Sequence, residues 1–127
     1  MKVAVVAGSA AVFALVVAAG PVVADDKALS AAEVKALFTN KTFDGHNEAK
    51  DKDFRVYAAP DGKHMVKYPN GKTREGTWRI DAQGNHCVTL KKETCGKLVS
   101  KGGGVYHKIA DGTHIYTLKN FVDGNKL

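Results

Sequence analysis

The chain has 127 residues, with 19 Lys and Arg against 13 Asp and Glu, five His and two Cys, for a net charge of +6. This length allows one domain with its own core and excludes a multidomain architecture. The basic residues are scattered, Lys91-Lys92 being the one adjacent pair, so no specific nucleic-acid surface is predicted. A modest positive excess favours anionic partners or reads as solvated surface.

Met1-Lys2 opens the chain, and an apolar run from Val3 to Ala19 follows. Gly20-Pro21 breaks any helix, and Val22 and Ala24 stand where a signal peptidase reads small residues. Cleavage after Ala24 is expected, leaving one domain, 25–127, with no later segment apolar enough to span a membrane. Removing Lys2 leaves 18 basic against 13 acidic residues, a charge of +5.

The first element of that domain is a short helix. Ser30 and Glu33 have capping-box spacing, Leu29 and Val34 form the staple, and Val34, Leu37 and Phe38 share a face up to Asn40. Strands follow. Thr42-Phe43 starts the first; Asp53–Ala59 alternates, with Phe54, Val56 and Ala58 on one face. His64–Tyr68 places Val66 and Tyr68 together, and Lys72–Ile80 carries Trp78 and Ile80 on one side. Pro60-Asp61-Gly62 and Pro69-Asn70-Gly71 are turns. Val105–Ala110 and Thr113–Phe121 form a hairpin around Asp111-Gly112. Strands at about ten-residue intervals predict a mainly β domain. It is an antiparallel meander, either a curled sheet or a small up-and-down barrel of seven or eight strands, with one short N-terminal helix packed on a face or plugging an end.

Cys87 and Cys95, the only cysteines, are expected to form a disulfide. For two cysteines to face each other across a hairpin, the loop between their strands must be odd in length. A three-residue loop usually wants Gly in the left-handed position, and none is present, so five residues, Thr89 to Glu93, or a bulge are expected.

These elements give the chain a resemblance. Leu29-Ser30-Ala31-Ala32-Glu33, Thr42-Phe43-Asp44-Gly45, Tyr57 with Asp61-Gly62, Gly76-Thr77-Trp78-Arg79-Ile80, the two cysteines and Gly124-Asn125-Lys126-Leu127 resemble, in order, an exported proteobacterial family, the domain of unknown function numbered 995. That resemblance implies no activity. Gly-x-Trp followed by a Cys hairpin is also similar to small periplasmic barrels that inhibit metalloproteases. Those carry the disulfide near the start of the barrel, whereas here it falls past the middle.

No nucleophile elbow, zinc-protease helix or phosphate loop appears, so no catalytic residue and no cofactor is assigned and the protein is not expected to be an enzyme. A two-residue turn at Asp111-Gly112 would pair Ile109 with His114 and His107 with Tyr116. That would put His107 and His114 on one face as candidate ligands for one ion, with no third ligand in view; a bulged or longer turn is expected to move them to opposite faces. The five histidines are otherwise read as solvent-facing or locally paired. Glu48, Asp51 and Asp53 read as a solvated acidic patch, and Trp78 as core or plug. Tyr57, Tyr68, Tyr106 and Tyr116 are candidates for a ligand or partner surface. The reading that results is a noncatalytic periplasmic or secreted binding module. It would present a sheet face or barrel mouth to a protein or anionic envelope component. A secreted hydrolase inhibitor is the alternative, followed by a metal-binding protein or enzyme.

Overall fold

The computed structural model describes residues 27–127; the expected leader and its cleavage site lie outside them. The described chain is mainly β with one helix. A two-residue strand β1 (Lys27–Ala28) leads into α1 (Ala31–Phe38). Then come β2 (Lys41–Asn47), β3 (Lys52–Ala58), β4 (Lys63–Lys67), β5 (Thr73–Ile80), β6 (His86–Thr89), β7 (Glu93–Gly102), β8 (Val105–Ala110) and β9 (Thr113–Asp123).

Each strand from β2 to β9 pairs antiparallel with its sequence neighbour, and β9 returns to β2. The expected meander is therefore a closed, eight-stranded up-and-down barrel, with β1 added beside β7. Closure leaves no free edge among the eight strands.

Helix α1 forms where its capping box requires. Ser30 Oγ accepts from the Glu33 amide at 3.2 Å, and Glu33 Oε1 accepts from the Ser30 amide at 2.8 Å. Its buried face, Val34 and Phe38, closes the end of the barrel where β2 begins. Phe38 meets Phe43 and Phe121 edge-on at 5.2 and 5.6 Å. Trp78 lies 6.2 Å away and donates its indole N–H to the Ala59 carbonyl at 2.9 Å. Val56, Ala58, Val66, Leu98 and Leu118 complete the inward-facing core. At Asp111-Gly112 both φ angles are positive, 51° and 76°. A two-residue hairpin turn of matching twist needs that geometry.

The disulfide is present, with Cys87 directly opposite Cys95. The expected five-residue loop is not: Thr89 pairs with Glu93, leaving three residues, Leu90 to Lys92. The glycine argument fails because no residue of this loop has a positive φ; it closes on ordinary backbone. Among the described residues no helix is long and apolar enough to cross a membrane.

Candidate functional site: the barrel interior

Alternation decides what enters the barrel. On β3, Phe54 and Val56 face inward with Lys52; on β4, His64 and Val66 do; on β6, His86 and Val88; on β9, Tyr116 and Leu118. Together with Tyr68, Leu90, Thr94 and Lys108 these residues line a cavity of about 430 Å³. Its volume is within the range of small-molecule sites, about 300–1,000 Å³. The mouth is at the end of the β2–β3, β4–β5 and β6–β7 loops, where Asn47, Lys50, Lys52, Arg74, Lys91 and Lys92 ring it. Those five cations are exposed.

The floor lies one layer above the plug. His86 stacks on the Phe38 ring with centroids 3.9 Å apart and planes 10° from parallel. Lys108, 2% exposed, reaches it from β8, with Nζ 3.1 Å from His86 Nδ1 and 3.4 Å from the Thr94 carbonyl. Glycine makes that reach possible. Gly96 pairs with His86, and a Cβ on Gly96 would sit 2.9 Å from Lys108 Cγ. When Lys108 is charged its ammonium only donates, so His86 Nδ1 then accepts and the ring proton is on Nε2. That nitrogen and Nδ1 of the nearby His64 are buried without hydrogen-bond partners.

Electrostatics follow from burial. Lys108 is pushed down to about 7 by desolvation. His64 is lowered to about 4 by desolvation and then by the charge of Lys108. His86 falls well below the ordinary imidazole value for the same reasons in the same order. Tyr116 is raised, by burial first and by Tyr68 second. Of the residues lining the cavity six are Lys or Arg, two are His and none is Asp or Glu.

The two candidate histidines of the outer surface behave differently. His114 pairs with Ile109 as expected, but the register shifts between His114 and Tyr116. His107 therefore faces Thr117, and Tyr116 faces Lys108 inside the barrel, which corrects the expected His107–Tyr116 pair. The bulge comes after His114, so contrary to the expectation for a bulged hairpin it leaves His107 and His114 on one face, with rings stacked at 3.7 Å and 9°. Stacked imidazoles aim their nitrogens side by side rather than at a common point. Thr117 donates to Glu48 at 2.6 Å and accepts from His114 Nε2 at 3.0 Å. Nearby, His46 pairs with Asp53 at 2.7 Å and Asp51 at 3.1 Å. His46 is raised, chiefly by its hydrogen bond to Asp53. The groove these groups border, about 610 Å³, is larger than the interior but open, and its charges answer one another. Asp81, Cys87 and Cys95 are the one trio of potential metal ligands brought together among the described residues. The two sulfurs are already bonded to each other, so no ion fits there.

Of the four candidate tyrosines, Tyr68 and Tyr116 line the cavity. Tyr57 faces outward and donates to Asn40 Oδ1 at 2.6 Å. Tyr106 packs edge-on against Phe121 at 5.6 Å, near the plug. His64, His86 and Lys108 are the site residues that sequence reasoning missed. The expectation of solvent-facing or locally paired histidines is corrected for His64 and His86, which are 5% and 2% exposed. The available signal for His64 was its parity with Val66 and Tyr68.

The family model described as Protein of unknown function (DUF995) matches residues 3–125, nearly the whole chain. The chain belongs to that family. Comparison with curated proteins finds no match.

Proposed function

We propose that this protein is a noncatalytic binding barrel that takes a small, apolar-bodied anionic molecule into its interior. The observation that carries the reading is the composition of the cavity wall: six cations, two histidines and no carboxylate around an apolar middle. The exposed ring of Lys50, Lys52, Arg74, Lys91 and Lys92 raises the local concentration of anions at the mouth. Phe54, Tyr68, Val88, Leu90 and Tyr116 offer the apolar contact that supplies affinity. The mouth, rather than an outer sheet face, is then the binding surface. The partner is a small molecule rather than a polymer or protein, since the deepest unpaired charge is reachable only from inside.

The reading includes export to the periplasm or beyond. The Cys87–Cys95 disulfide supports it, because such bonds persist in oxidising compartments, and so does the leader-like pattern from Lys2 to Ala24. Mass spectrometry of the exported protein should find Asp25 at its N-terminus.

The binding reading is tested with the anionic dye 1-anilinonaphthalene-8-sulfonate. Saturable one-to-one fluorescence enhancement is expected, weakening as salt screens the rim. Val88→Trp, which fills the cavity from a half-buried wall position, should weaken it by about tenfold or more. Absence of saturable binding, or binding that Val88→Trp leaves intact while the protein still melts cooperatively, would overturn the reading.

A further inference from the structure

The floor carries more information than the rim. An ammonium has three donors, and Lys108 uses two, on His86 Nδ1 and the Thr94 carbonyl. Among the described residues no carboxylate lines the same cavity, so the charge has no counter-ion. Beside it are two buried imidazole nitrogens, His64 Nδ1 and His86 Nε2, without partners. Buried charges in proteins are ordinarily paired and buried polar atoms ordinarily hydrogen-bonded. Here Lys108, His64 and His86, from three strands, line one cavity, and Gly96 keeps the space that lets Lys108 lie there.

We propose that this floor is a carboxylate seat. An organic acid with an apolar chain enters head-first, its carboxylate pairing with Lys108 Nζ between His64 and His86, its chain lying along Phe54, Tyr116 and Leu118 below the rim. The assignment rests on the binding-barrel reading above and adds the orientation and the headgroup. One ammonium matches one negative charge. A carboxylate is small, accepts several hydrogen bonds at once and forms charge-assisted bonds with both ammonium and imidazole N–H donors. The apolar layer between floor and rim excludes water from the pair, so removing either member leaves a buried charge unmatched.

The test compares decanoate with decan-1-ol as competitors of the dye at pH 6.5, in wild type and Lys108→Met. Wild type should favour decanoate by about tenfold or more, and Lys108→Met should lose that preference while still binding decan-1-ol. In wild type alone, nitrogen-detected NMR of 15N-lysine-labelled protein should show the Lys108 titration moving up by about one unit or more when decanoate is added. Decan-1-ol should leave that titration in place. Equal binding of acid and alcohol by wild type, an unchanged preference in Lys108→Met, or a Lys108 titration indifferent to decanoate would overturn the seat and leave the barrel reading standing. If neither competitor nor the dye binds, both fall together.

Discussion

Replacing Lys108 by Met should stabilise the empty protein at neutral pH, although most substitutions of a buried side chain destabilise. In the folded state desolvation holds Lys108 at about 7, against 10.5 for the ordinary side chain. The unfolded chain therefore binds more protons between pH 7 and 10.5, and stability must rise with pH through that window. At about 1.4 kcal/mol per unit, the cost of burying the ammonium is about 4 kcal/mol at pH 7 and fades to about 2 kcal/mol by pH 9. Methionine fills similar volume without the charge. It forgoes two hydrogen bonds and leaves His86 Nδ1 without a partner, which together cost about 2 kcal/mol. The net gain is thus about 2 kcal/mol at pH 7 and about zero at pH 9.

The groups facing Lys108 do not mask this. His86 and His64 are lowered from 6.5, so their effect on stability falls below pH 7, outside the window. Tyr116, being raised, destabilises only above its ordinary value near 10. Urea unfolding of both proteins from pH 7 to 9, under non-reducing conditions, measures the effect directly. Wild-type stability should climb with pH while the variant stays level. A variant less stable than wild type at pH 7, or two parallel profiles, would refute the account of an uncompensated buried ammonium.

On the acid side the sign is the same. His64, lowered to about 4 from 6.5, makes the folded state lose stability as pH falls from 6.5 to 4. Acid unfolding of His64→Phe should begin at lower pH than in wild type. Ser30→Ala removes the Oγ acceptor of the capping box and keeps the backbone amide that donates to Glu33; it should lower stability by about 1 kcal/mol, read as a shift in urea midpoint at constant slope. Gly45→Ala would drive a Cβ into the Phe54 ring and should cost about 1–3 kcal/mol in melting experiments. Dye binding should fall with it, as the ring is pushed into the cavity. The Cys87→Ser/Cys95→Ser pair opens an eight-residue separation and should lose about 2.5 kcal/mol by the same urea assay.

Much of this barrel is written in local pattern. Ser30 and Glu33 announce the helix start, and the parity of Phe54, Val56 and Ala58 announces an inward face. The cysteine spacing announces a hairpin with its cysteines opposed. What local pattern lacks is the placement of irregularities. The bulge in β9 between His114 and Tyr116 is not marked by glycine or proline. It exchanges the faces of Tyr116 to Leu118 relative to β8. With regular pairing, Tyr116 joins His107 on the outside; with the bulge it turns inward beside Lys108. Lys108 itself alternates with His107 and Ile109, and on hydropathy alone the isoleucine side reads as the buried one. Its burial follows from barrel closure, which gives β8 two strand neighbours and commits one face to the interior. The hairpin loop escaped for a related reason: a preference for left-handed glycine is statistical, and Leu90 to Lys92 close without it.

The disulfide acquires a more specific role from this geometry. Cys87 and Cys95 are paired next to His86 and Gly96; the Lys108 stem passes Gly96 and its amine reaches His86. On a strand, neighbours face opposite ways, so the bond is outside the barrel while His86 is inside. A one-residue slip of β6 against β7 would turn His86 out and break the alignment with Gly96. The covalent link forbids that slip at the point where the floor is built. Phe38, stacked beneath His86, fixes the same ring from the plug. The bond therefore does more than shorten the unfolded ensemble. It holds His86, Gly96 and Lys108 in the one register that leaves an unpaired positive charge facing the cavity, and a ligand that supplies the missing negative charge stabilises the folded state in proportion to its occupancy.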